Sequence, residues 1–95
     1  MTYNLRFFQS ALKEWQKLDP FVQKQFKARL AKRLVTPHVP SAKLRGYTNL
    51  YKIKLRSVGY RLAYLVEEKE ISVYVVCVGR RDQIYALLQS RLPTD

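Results

Sequence analysis

The chain is poor in the side chains that most hydrolases rely on. It has one cysteine, Cys77, and one histidine, His38. A lone cysteine excludes an internal disulfide and a cysteine-based zinc site, and a lone histidine excludes a His-rich metal centre. Acids are scarce too: Glu14, Asp19, Glu67, Glu68, Glu70, Asp82 and Asp95 stand against 18 lysines and arginines. They form no carboxylate cluster of the kind that holds catalytic magnesium, so neither a metal nor a cofactor is expected. No apolar run approaches the ~20 residues needed to cross a bilayer. Met1-Thr2-Tyr3-Asn4-Leu5-Arg6 has no signal-peptide layout, and a cytoplasmic location is expected.

What is present is compact and basic. At 95 residues, one domain spanning 1–95 is expected. Hydrophobic residues make up 47% and charged residues 26%, the balance of a globular chain. Eighteen cations less 7 acids leave +11, which calls for a polyanionic partner. The charge is unevenly placed. Between Asp19 and Glu67 there is no carboxylate, while Lys24, Lys27, Lys32, Arg33, Lys43, Arg45, Lys52, Lys54, Arg56 and Arg61 all fall in that stretch. Three of the acids crowd into Glu67-Glu68-Lys69-Glu70, which fits a solvated hairpin turn.

Periodicity divides the chain in two. Residues 3–8 read as a short aromatic-rich strand. Ser10 is a candidate helix N-cap, followed by Ala11, Leu12, Trp15 and Leu18 at helical spacing. Asp19-Pro20 is a second helix start, and Val22, Phe26, Leu30 and Leu34 form its apolar stripe until Pro37 and Pro40 end it. Residues 50–56 then alternate strictly, Tyr51, Ile53 and Leu55 one way and Lys52, Lys54 and Arg56 the other. Residues 60–66 and 71–78 read as further strands, the last apolar enough to be buried on both faces, with Gly79 breaking it. Residues 82–92 read as a closing helix. The order β-α-α-β-β-β-α predicts an α+β fold, a small antiparallel sheet with a helical hairpin packed on it.

The cationic side of residues 50–56 is the candidate site. Like charges in a row on one strand face repel one another, and a polyanion relieves that repulsion. An edge strand that uses lysine against aggregation is the plainer reading of the same pattern. A two-residue turn at Val58-Gly59 would put Arg61 on this face, whereas a three-residue turn from Ser57 would point it away. Gly79-Arg80-Arg81-Asp82 adds arginines at the end of the central strand. Tyr85 follows Arg81 at the spacing that would share a helix face, where packing is the commoner role.

Ala11-Leu12-Lys13-Glu14-Trp15, Lys43-Leu44-Arg45-Gly46, Tyr51-Lys52-Ile53-Lys54-Leu55-Arg56-Ser57, Gly59-Tyr60-Arg61-Leu62 and Val78-Gly79-Arg80-Arg81 keep the order and near-identical spacing of one known family. The chain resembles the RelE toxins of the RelE/ParE toxin–antitoxin superfamily over almost its whole length. The resemblance implies a ribosome-dependent endonuclease that cuts messenger RNA in the A site, with the message's own 2′-hydroxyl as nucleophile. It implies a catalytic set of Lys52, Lys54, Arg61, Arg81 and Tyr85, with Arg45 near the substrate phosphates. It places Arg61 with the lysines. The loop before Tyr85 is shorter here than in the family pattern. It also implies a RelB-like antitoxin, the small ribosomal subunit and its RNA as partners, and operator DNA bound only together with the antitoxin.

Such a reaction needs a base, charge stabilisation at phosphorus and an acid for the leaving oxygen. His38, in a Thr-Pro-His-Val-Pro loop, reads as a loop residue. Neighbouring cations favour the deprotonated forms of tyrosine and lysine, so Tyr85 or Lys52 is the candidate base. Lys54 and Arg61 would bind phosphate oxygens and Arg81 would face the leaving group. Lys24, Lys27, Lys32, Arg33, Lys43 and Arg56 would bind RNA more generally. The competing readings are a ParE-like gyrase poison, a non-catalytic nucleic-acid-binding module and, weakest, a binder of anionic membranes.

Overall fold

The computed structural model describes residues 2–93, so Met1 and Asp95 of the calls above lie outside the described residues. The chain forms strand β1 (Asn4–Phe7), helices α1 (Gln9–Gln16) and α2 (Pro20–Val35), a 3-10 turn (Pro40–Ala42), strands β2 (Leu50–Leu55), β3 (Tyr60–Glu67) and β4 (Ser72–Arg80), and helix α3 (Ile84–Arg91). No helix among the described residues is long and apolar enough to cross a membrane.

The sheet order is β1-β4-β3-β2. β2, β3 and β4 pair antiparallel, as the alternation suggested, but β1 runs parallel to β4, so the sheet is mixed rather than antiparallel. Parallel neighbours need a long crossover, and here α1, α2, β2 and β3 all intervene. A four-residue strand with mostly exposed side chains carries no periodicity that would reveal its partner.

Local chemistry explains the helix starts. The Asp19 carboxylate accepts the Phe21 amide at 2.8 Å, and Pro20 occupies the first helical position, where a missing N–H costs nothing. α1 starts differently from the Ser10 expectation. Phe8 is its N-cap and makes no side-chain cap bond; the Phe8 amide is spent on the Val75 carbonyl at 2.9 Å, so sheet pairing passes directly into the helix.

One face of the sheet packs under α1 and α2. Ala11, Val22, Phe26 and Leu30 meet Tyr51, Ile53, Leu55, Leu62, Tyr64, Val66, Val73 and Val75 there. On the opposite face, Ile84 and Leu88 of α3 meet Ala63, Val76 and Cys77. A register shift at Ala63/Tyr64 leaves Val76 without a partner, which lets the sequence neighbours Val76 and Cys77 join the same cluster. Gly79 does not break β4; it pairs with Arg61, and a Cβ there would lie 3.3 Å from Leu87 Cδ1. A side chain at residue 79 would press on the Leu87 side chain of α3.

Candidate functional site

β2 is an edge strand whose inward residues belong to the core, so Lys52 and Lys54 are left on the α3 side of the sheet, beyond the area that α3 covers. Lys54 pairs directly with Arg61 and Leu55 with Tyr60. The loop is therefore four residues long, Arg56 to Gly59, and neither turn length expected from the sequence occurs. Its parity still puts Arg61 on the cationic face. Gly59, at φ 71°, allows the tight return. The Leu55 carbonyl accepts the Gly59 amide at 3.0 Å, and the Gly59 carbonyl accepts the Arg81 amide, also at 3.0 Å. The hairpin tip thus fixes the backbone of the arginine at the end of β4.

Arg81 lies in the turn before α3, so it shares no helix face with Tyr85. Both nevertheless line one open depression of about 730 Å³ with Lys52, Lys54 and Arg61. Tyr85 is 47% exposed, which sets aside the packing role. All of the residues read as catalytic therefore converge. Arg80 and Asp82 also line the depression, and the Gly79-Arg80-Arg81-Asp82 run is the signal in the sequence that finds them. Arg80 stacks over the Tyr60 ring at 5.1 Å.

The charge density bears on one proton. Lys52, then Arg61, then partial burial and Arg56 push the Lys54 ammonium below the ordinary lysine range. Lys54 thus gives up its proton more readily than a free lysine.

The wider basic set divides. Arg56 joins Lys54, Arg61 and Arg81 in an adjoining hollow. Lys43 and Arg45 line a separate hollow with Tyr47. Lys24, Lys27 and Lys32 are exposed on α2 and line none of these hollows. Arg33 turns inward, donating to the Lys52 carbonyl at 3.2 Å and the Tyr64 hydroxyl at 2.9 Å. His38 lies away from the depression, hydrogen-bonded to the Tyr51 hydroxyl at 2.9 Å and to Glu68. Glu68 also accepts the Tyr3 hydroxyl at 2.9 Å, and these contacts hold its carboxyl below the usual range.

A model of the family described as ParE toxin of type II toxin–antitoxin system matches residues 5–85. The chain belongs to the RelE/ParE family of type II toxins. Within that family, it is 48% identical over 94 residues to a RelE-like toxin protein of Escherichia coli, covering 97% of this chain and 99% of the relative. It is 47% identical over 83 residues to the mRNA interferase toxin RelE of Escherichia coli strain K12, covering 87% of each. The free Escherichia coli RelE mutant structure superposes with a TM-score of 0.87 at 42% identity, covering 95% of this chain and 97% of that one. RelE in the intact Escherichia coli RelBE toxin–antitoxin complex gives 0.81 at 47% identity, covering 82% and 95%. The RelE/ParE fold is thus shared along the chain.

Proposed function

We propose that this chain is the toxin of a type II toxin–antitoxin pair, a single-domain endonuclease that cuts messenger RNA in the ribosomal A site. The observation that carries the reading is the convergence of Lys52, Lys54, Arg61, Arg81 and Tyr85 on one open cationic depression. The 2′-oxygen attacks phosphorus and the bond to the 5′-oxygen breaks, leaving a cyclic phosphate and a free 5′-hydroxyl. Tyr85 or Lys52 takes the 2′-hydroxyl proton. Lys54 and Arg61 hold the non-bridging oxygens. Arg81 neutralises the leaving side, and the lowered proton affinity of Lys54 suits it to give the 5′-oxygen its proton.

A site with so little acid–base machinery benefits from a scaffold that orients the message, and the small ribosomal subunit supplies one. Lys24, Lys27, Lys32, Lys43, Arg45 and Arg56 dock on ribosomal and messenger phosphates, and binding falls steeply with salt. Relatives solved in complex with RelB support a RelB-like antitoxin as partner. An acidic or amphipathic antitoxin segment masks the basic face, the pair acts in the cytoplasm, and toxin and antitoxin together bind operator DNA. Primer extension on a message with and without ribosomes tests the reading. Cuts between codon positions only when ribosomes are present are expected; equal cutting of naked RNA, or gyrase inhibition without cuts, overturns it.

A further inference from the structure

The strand that carries both lysines, β2, is one of the sheet's two edges and has no outer neighbour strand. In an antiparallel pair, alternate residues direct their backbone groups away from the partner strand. The Leu50 carbonyl points outward, where it accepts the Leu44 amide at 2.9 Å. By the same alternation, the backbone groups of Lys52 and Lys54 point outward. The 3-10 turn segment reaches only the start of β2, through the Lys43–Tyr51 bridge. Beyond it the edge is open exactly where the chemistry is carried, and a mobile edge strand would carry mobile ammonium groups with it.

Arg33 fills that gap. From the last turn of α2 it donates to the Lys52 carbonyl. It is itself held. The same nitrogen donates to the Tyr64 hydroxyl, and the guanidinium lies 5.7 Å from the centre of the Tyr64 ring. The Tyr64 side chain is fully buried, its hydroxyl donates to the Pro37 carbonyl at 2.7 Å, and its ring stacks on Tyr51 at 5.6 Å. The guanidinium therefore connects the backbone of β2 to the inner core, although it also borders an open hollow with Lys52, Lys54 and Arg56.

We infer that Arg33 is a positioning residue for the RNA-cleaving site, replacing the missing neighbour strand at Lys52 rather than docking on RNA phosphate. The inference rests on the proposed cleavage reaction for its kinetic consequence, but its structural half stands apart. The two N–H donors on one guanidinium nitrogen are held in a fixed plane, whereas those of a lysine ammonium rotate.

Single-turnover cleavage of ribosome-bound message by Arg33→Met and Arg33→Lys tests it, with Lys32→Met as the docking comparison. Methionine keeps the apolar stem and removes the donors. The expected result is a drop of about 10–100-fold in the rate at saturating toxin, the size that a misplacement of about 1 Å produces. The half-saturating concentration and the salt slope stay unchanged, and lysine rescues only in part. Lys32→Met should do the reverse. A salt slope reduced by about one in Arg33→Met, with its saturated rate intact, is the signature of a phosphate contact and overturns the inference. A second arm needs no cleavage at all. Amide hydrogen exchange at Ile53 and Leu55, which face β3, should quicken in the free Arg33→Met protein while Val75 stays protected. Unchanged exchange overturns the inference even if the wild type cuts, and faster exchange upholds its structural half even if the wild type does not.

Discussion

On one side of β2, Tyr51, Ile53 and Leu55 vanish under α1 and α2; on the other, Lys52 and Lys54 stand beside Arg61 with no covering helix. The first face is assembled from contacts that favour folding. The second collects like charges that oppose it. A single alternating strand carries both, so the cost of the charged face is borne by the packing behind it. The lowered proton affinity of Lys54 is that cost made visible at one atom.

The contrast can be broken from either side. Phe26→Ala, in the centre of the covered face, should lose about 3–5 kcal/mol of stability in denaturant unfolding. Arg81→Ala, on the exposed face, should lower cleavage of ribosome-bound message at least ~100-fold while leaving the unfolding midpoint unchanged. A large loss of stability there would mean that the two faces are not separable. Glu14→Gln tests what holds α3. Glu14 accepts both Arg91 terminal nitrogens at 2.8 Å and the Val78 amide at 3.1 Å, and Arg91 reaches the Val76 carbonyl. With the pair mostly but not fully shielded, a loss of about 1–3 kcal/mol is expected by thermal unfolding. Ile71 holds a left-handed φ of 51° that suits no β-branched side chain, and Ile71→Gly should gain about 1 kcal/mol.

The smallest effects are pH dependences with opposite ends. Lys54 is depressed, so its charged form penalises the fold; stability rises as pH climbs through its folded value toward that of a free lysine. Lys54→Met should remove that alkaline rise. Glu68 is depressed as a carboxylate, so its contribution is present above the ordinary value of 4.5 and is lost as pH falls below it. Glu68→Gln should flatten the acid limb of a melting-temperature profile.

The strict alternation of 50–56 revealed the strand and its cationic face because period two is a property of the sequence itself. Asp19-Pro20 revealed α2 for the same local reason. The partner of β1, the four-residue loop from Arg56 to Gly59, and the passage of β4 through Gly79 were hidden because each depends on a neighbour distant in sequence. Gly79 packs against Leu87 of α3, a contact that only the folded turn between them brings about. Within the candidate site, the lysines were legible from β2 alone and Arg61 only with the family pattern. The inward turn of Arg33 was not legible, since a charged residue in a basic helix looks the same whether it meets solvent or a carbonyl.

Cys77 lies fully buried between the sheet and α3, its thiol pushed up to about 12 by burial first and by Glu14 second. It is the thiolate that attacks a disulfide reagent, so this sulfur stays silent while the α3 face is closed. The chain therefore carries its own stopwatch. The rate at which a disulfide reagent marks Cys77 reports how often that face opens, without any label added to the molecule.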